Sequence, residues 1–220
     1  MMSMTREESI KKTAEELFTR YNALRQCESA LWTAYEMLVS CYEKGGKLLI
    51  CGSGGSASDA LHITGELMKS FISKRPVDAS FAEELKKRFP EDADYLINSL
   101  QGALPTVALV ENSALATAVQ NDISGEFITA QQVLGLGKPG DVLLAISTSG
   151  NSRSGSLAVE AAAAKGMGTI GLTGENGGKY KMLCDCTIRV PEKETFKVQE
   201  LHLPVYHALC RMLEIHFFGE

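Results

Sequence analysis

Clusters of basic residues are missing from this sequence, and so are long apolar runs. Lys and Arg number 22 against 27 Asp and Glu, a formal charge of -5, and no long Lys/Arg stretch appears. That leaves no electrostatic footprint for nucleic acid. Apolar segments such as Val142–Ile146 are far too short to span a bilayer. Met1–Lys12 is polar and charged, without the apolar core of a signal peptide, so the expectation is a cytoplasmic protein with no membrane partner. Internal repeats and low-complexity linkers are absent. The 45% apolar and 22% charged content excludes disordered and collagen-like chains.

Six cysteines, Cys27, Cys41, Cys51, Cys184, Cys186 and Cys210, occur without an export signal and read as reduced thiols. Cys184-Asp185-Cys186 lacks a second Cys/His pair at finger spacing. Alternation along a strand accounts for it.

In the chain that is there, residues 5 to 43 carry apolar positions three and four apart, from Ile10 to Cys41, and Gly45-Gly46 ends the run. One long helix or a pair is predicted, with part of its face meeting another subunit. Short apolar strands then alternate with helices: strands at 47–51, 106–110, 141–147, 169–173 and 187–190, helices at 58–73, 113–130, 157–165 and 196–218. This rhythm predicts a single α/β domain over 1–220, a three-layer αβα sandwich on a parallel sheet of about five strands. Residues 1–45 form a helical oligomerisation segment. Residues 74–104, with Pro76, Pro90 and a charged run at 83–88, read as a helical insertion, either a surface decoration or a lid.

Ligands collect beyond the carboxyl ends of parallel strands. Two such junctions are rich in Gly and hydroxyls: Ser53, Gly54, Gly55 and Ser56 after the first strand, and Ser147, Thr148, Ser149 and Ser152 after the third. Glycines permit close backbone approach, hydroxyls donate, and a helix N-terminus adds free N–H groups. Two in one sheet predict an anion pocket. The dinucleotide fingerprint fails because no acidic residue ends a strand about twenty positions on. No Gly-Lys-Ser/Thr and no Gly-x-Ser-x-Gly occurs, which removes a Walker loop and a nucleophile elbow. With no Lys or Arg in either loop, the pocket suits one phosphate monoester.

Only four histidines exist. His62 and Glu66 are four apart on one helical face, a spacing that suits two metal ligands, a catalytic pair or a surface ion pair. Gln199 and His207 are eight apart on the last helix, roughly 12 Å along it. They meet one ion only if it sits between them, if the helix start is irregular, or if different subunits supply them. His202 reads as structural and His216 as solvated or packed.

Cys51–Ser56 followed by Asp59-Ala-Leu-His62 and Glu66-Leu67 resembles the first motif of the sugar isomerase (SIS) domain, in particular the phosphoheptose isomerase family. Asn121-Asp122, Ile146–Ser152, Leu172–Gly174 with Gly177-Gly178-Lys179, and Val198–His202 with His207 continue the resemblance in order, across nearly all of the chain outside 74–104. It implies a Rossmann/flavodoxin-like fold, a homotetramer with active sites at subunit interfaces, and conversion of sedoheptulose 7-phosphate to D-glycero-D-manno-heptose 7-phosphate in heptose biosynthesis. It further implies that Ser147, Thr148, Ser149 and Ser152 hold the phosphate, and that Ser53–Ser56 with Asn121 and Asp122 line the sugar. His62, Glu66, Gln199 and His207 match the family's zinc-site positions. Moving a carbonyl from C2 to C1 needs a base that shuttles a proton through an enediol and a group that handles the oxygens. Glu66 fits the first role and His207 the second.

The chain departs from the family's usual pattern at Ser53 (usually Asn), at Ala57 (often His) and at Phe196 (Asp in some members). The alternatives are an isomerase of another sugar phosphate or a non-catalytic member that binds a phosphosugar or the replication initiator DnaA. A pure binder has no need of Glu66 and His207 together.

Overall fold

The computed structural model describes residues 4–219. Residues 6–43 form a pair of helices, α1 (Arg6–Arg20) and α2 (Glu28–Glu43), joined by a 3-10 segment at Asn22–Cys27. Thr5 starts α1 with a capping box. Its hydroxyl accepts from the Glu8 N–H, and the Glu8 carboxylate accepts from the Thr5 N–H.

Five parallel strands follow: β1 (Leu48–Cys51), β2 (Thr106–Ala108), β3 (Val142–Ser147), β4 (Gly168–Thr173) and β5 (Cys186–Arg189), in the order β2-β1-β3-β4-β5. Every residue of β1 and β3 is buried, as strands covered on both faces require. Side-chain alternation divides the core. Leu48, Ile50, Val142, Leu144 and Ile146 face a layer of α1, α2, α3 (Gly55–Met68) and α10 (Thr195–Phe218). Leu49, Cys51, Leu143 and Ala145 face the other layer, where α7 (Ile128–Leu136), α8 (Arg153–Ala164) and the short α9 (Tyr180–Leu183) pack, with α6 (Ser113–Asp122) against α7. The result is the expected αβα sandwich.

The predicted strands keep their places to within two residues. The helix expected at 58–73 begins earlier, at Gly55, because the loop glycines turn the chain directly into it, and it stops at Met68. The run at 113–130 is two helices separated by a 3-10 turn at Gly125–Phe127. Cys184 is not in a strand: it caps α9, and only Cys186 enters β5, so strand alternation does not account for that pair. All six cysteines are free, and burial pushes Cys51 up to about 12 and Cys27 up to about 11.

The 74–104 segment holds α4 (Ala79–Arg88) and α5 (Ala93–Ser99). α4 buries no residue and α5 only Ala93. Phe81 and Leu100 instead line a groove with Phe217 and Phe218. That end of α10 is eighteen residues, roughly 27 Å, from Gln199, so the segment does not cover the loops of its own chain. Among the described residues, no helix is long and apolar enough to cross a membrane.

Candidate functional site

In the order β2-β1-β3-β4-β5, the chain adds β2 on one side of β1 and then β3 on the other, and a crevice opens beyond the carboxyl ends of β1 and β3 at this switch point. Both Gly/Ser loops stand there. β1 runs through Gly52–Gly54 into α3, and β3 through Thr148–Ser152 into α8. Gly52, Ser53 and Ser152 line one small crevice between them, and Gly52, Ser53 and Ser154 share a larger cleft of about 270 Å³ with Asn112 and Thr129. Gly54, with φ +60°, turns the chain into α3. Gly150, with φ +65°, packs so closely on Gly177 that a Cβ would fall 2.2 Å from its carbonyl oxygen. The second loop is therefore pinned open by glycine. Ser152 caps α8, its hydroxyl accepting from the Gly155 N–H, and Ser149 accepts from the Asn151 N–H. Ser147 is buried, Thr148 half-buried and Ser149 exposed.

Further along α3, and against α10, a second group assembles. His62 Nε2 lies 3.1 Å from Glu66 Oε1 and 3.4 Å from His207 Nε2. One donor atom from each residue falls within 4.8 Å of the others. Zn–N and Zn–O bonds of about 2.0–2.1 Å at tetrahedral angles place ligand atoms about 3.3 Å apart, so these two imidazoles and one carboxylate fit a zinc ion. Burial lowers the pKa of His207, neighbouring His62 adds to the effect, and Glu66 opposes it. Tyr206 lies 3.0 Å from His62 Nδ1, and its hydroxyl donates to Asp59 Oδ1 at 3.4 Å. Phe71 tilts against the His207 ring, with centroids 5.4 Å apart.

The end of α3 that carries Glu66 is held from outside the helix. Arg75 donates from Nη1 and Nη2 to the carbonyls of Leu67 and Glu66, and from Nε to Glu214. Glu214 also accepts the N–H groups of Phe71, Ile72 and Ser73. These bonds satisfy the last-turn carbonyls that a helix leaves unpaired. Burial raises the Glu214 carboxyl, but the three N–H groups and Arg75 outweigh it and the net shift is downward.

Of the residues singled out in the sequence, His62, Glu66 and His207 come together, and the two loops come together. Gln199 stands apart from the triad. Its amide lies over Gly55, where a Cβ would meet Nε2 at 2.3 Å. Gly55 is seven residues before His62 on α3, roughly 10 Å. α10 is helical from Thr195 through both Gln199 and His207, which removes an irregular helix start as a means of joining them. Asn121 and Asp122 are exposed at the end of α6, bonded to each other at 2.8 Å, and are not among the residues lining the clefts at the loops. His202 is fully buried with neither ring nitrogen hydrogen-bonded in good geometry, and burial pushes it down to about 4. His216 Nδ1 pairs with the Tyr35 hydroxyl at 2.8 Å.

Sequence reasoning assigned no role to Asp59, Arg75, Tyr206 or Glu214. Asp59 was within reach, because 59, 62 and 66 share one face of α3. The others depend on how α10 packs, which no local pattern carries.

The chain matches the SIS domain over residues 11–96 and 92–174. It is 39% identical over 203 residues to a phosphoheptose isomerase of Rhodospirillum rubrum, covering 92% of this chain and 93% of that one. A solved phosphoheptose isomerase of Neisseria gonorrhoeae superposes with a TM-score of 0.70 at 30% identity, covering 93% of this chain and 97% of that one. One of Francisella tularensis gives 0.72 at 32%, covering 96% and 98%.

Proposed function

The chain belongs to the SIS-domain phosphoheptose isomerases, and on that premise we propose that it interconverts sedoheptulose 7-phosphate and D-glycero-D-manno-heptose 7-phosphate in heptose biosynthesis. The observation that carries this reading is the convergence of His62 and Glu66, on the helix that leaves a phosphate-type loop, with His207 of α10. An aldose-ketose isomerase needs an anion site at one end of its substrate and a proton-shuttling carboxylate at the other.

The phosphate binds the Ser147–Ser152 loop, where Thr148 and Ser149 hydroxyls and the N-terminus of α8 present donors. Ser53–Ser56 take the sugar hydroxyls. His62 and Glu66 follow Gly55 by seven and eleven residues, roughly 10 and 16 Å along α3. Glu66 turns Oε1 toward His62, which leaves Oε2 to take the proton from C1 and return it to C2. His207, whose pKa is lowered by burial and by neighbouring His62, exchanges a proton with the substrate oxygens. A zinc ion held by His62, Glu66 and His207 would polarise those oxygens. Gln199, seated at Gly55, meets the sugar of its own subunit and completes the metal set of another.

The active assembly in this reading is a homotetramer with sites at its interfaces. Leu61 and Leu203 are 38% and 40% exposed beside His62 and His207, an apolar rim suited to a neighbouring subunit. Asn121 and Asp122, exposed on α6, meet sugar held between subunits. Purified protein given sedoheptulose 7-phosphate should yield the aldose by NMR, with a deuteron at its C2 in D₂O. Suppression by a chelator and recovery with zinc are expected. Binding without turnover would refute the isomerase reading.

A further inference from the structure

His62 is engaged on both ring nitrogens. Nε2 faces Glu66 and His207, while Nδ1 lies 3.0 Å from the Tyr206 hydroxyl. Tyr206 also reaches Asp59 Oδ1 at 3.4 Å. The other carboxylate oxygen, Asp59 Oδ2, is buried with no hydrogen-bond partner. Among the described residues, Tyr206 therefore supplies the one side-chain hydrogen bond this carboxylate receives.

The proton count in this chain is fixed by chemistry. An imidazole that ligates a metal through Nε2 carries its remaining proton on Nδ1. Tyr206 has one hydroxyl proton and an oxygen that can accept. It accepts the His62 Nδ1–H and gives its own proton to Asp59. The opposite arrangement would strip the half-buried Asp59, whose Oδ2 is already shielded from solvent and unpaired, of its hydrogen bond from Tyr206, at a desolvation cost.

We propose that Asp59 and Tyr206 are positioning residues, an outer relay that holds His62 with Nδ1–H toward Tyr206 and Nε2 presented to zinc. The inference rests on the zinc site proposed above and gives it a support drawn from two helices. Asp59 and His62 are three apart on α3, and Tyr206 stands on α10 next to His207, so the relay also ties the two ligand-bearing helices together. The Tyr206 ring lies edge-on to His62 and to His207, at centroid distances of 5.5 and 5.1 Å, which restrains both imidazoles.

The test uses the full chain and zinc itself. Zinc affinity is measured by chelator competition for wild type, Tyr206→Phe and Asp59→Asn. The Nδ1–H resonance of His62 is followed by NMR in the zinc-loaded proteins. Loss of such an outer partner typically weakens metal binding about 10–100-fold. Tyr206→Phe is expected to fall in that range and to lose the slowly exchanging Nδ1–H signal. Asp59→Asn, which keeps volume and the tyrosine, is expected to move both readouts the same way and serves if the phenylalanine variant does not fold. Affinity within about twofold of wild type in both variants, with the resonance unchanged, overturns the relay. If the variants weaken zinc as expected and the wild type turns over no sugar phosphate, the relay stands and the isomerase reading fails. A wild type that binds no zinc overturns the relay and the metal site together.

Discussion

Arg75 and Glu214 form a fully buried ion pair, Nε to Oε1 at 2.8 Å, that ties the chain after α3 to the last helix. Both partners are saturated: Arg75 by two helix-end carbonyls, Glu214 by three consecutive N–H groups. The pair therefore sets where α3 ends, and with it the position of Glu66 two residues before the last.

Arg75→Met should be strongly destabilising, because it leaves Glu214 as a buried charge without its partner. Breaking such a pair from one side costs about 3–5 kcal/mol. Urea denaturation checks the magnitude. A loss below 1 kcal/mol would mean that the three N–H groups satisfy Glu214 unaided.

Gly150→Ala should leave the sheet folded and abolish tight phosphate binding. The added Cβ meets the Gly177 carbonyl at a positive φ, so the loop must move. A fall of at least about tenfold in sugar-phosphate affinity is expected, measured by calorimetry. Gly135→Ala on α7 is the control. Nothing lies within 4 Å of its added methyl, and it should be neutral or stabilising by up to about 1 kcal/mol.

His202 makes the fold acid-sensitive in a defined window. Its folded pKa of about 4 lies below the 6.5 of an unperturbed histidine, so the unfolded chain binds the proton more readily. The neutral ring's contribution is complete above pH 6.5, declines as pH falls toward 4, and levels off below. The shift corresponds to about 3 kcal/mol lost across that window. His202→Leu should flatten this part of the stability profile in thermal melts from pH 7 to 4. An unchanged slope would show that other groups carry the acid transition.

His207→Ala should lower both turnover and zinc content. Metal analysis of the purified variant checks the second effect, and unchanged zinc would remove His207 from the ligand set.

The strands were legible because buried parallel strands are short apolar runs, and Val142–Ile146 could be little else. The two loops were legible because Gly and Ser cluster where those runs end. Strand order was not, since pairing β1 with both β2 and β3 is a long-range choice. His62 and Glu66 could be paired from spacing on one helix. Their meeting with His207 depends on α10 crossing α3, and the separation of Gln199 from them follows from α10 staying helical across both positions. Arg75 gave no sign of its burial, because a lone arginine before proline reads as a surface residue. Tyr206 is, by sequence position alone, one more apolar residue of a helix. Only packing shows its hydroxyl between Asp59 and His62.

The most direct test of the central claim is the single change Glu66→Gln, assayed with sedoheptulose 7-phosphate. It removes the proposed base and little volume. Turnover should disappear while sugar-phosphate affinity stays within about tenfold of wild type, the signature of an interaction used in the transition state. Wild-type turnover in this variant would contradict the assignment of Glu66 and the mechanism built on it.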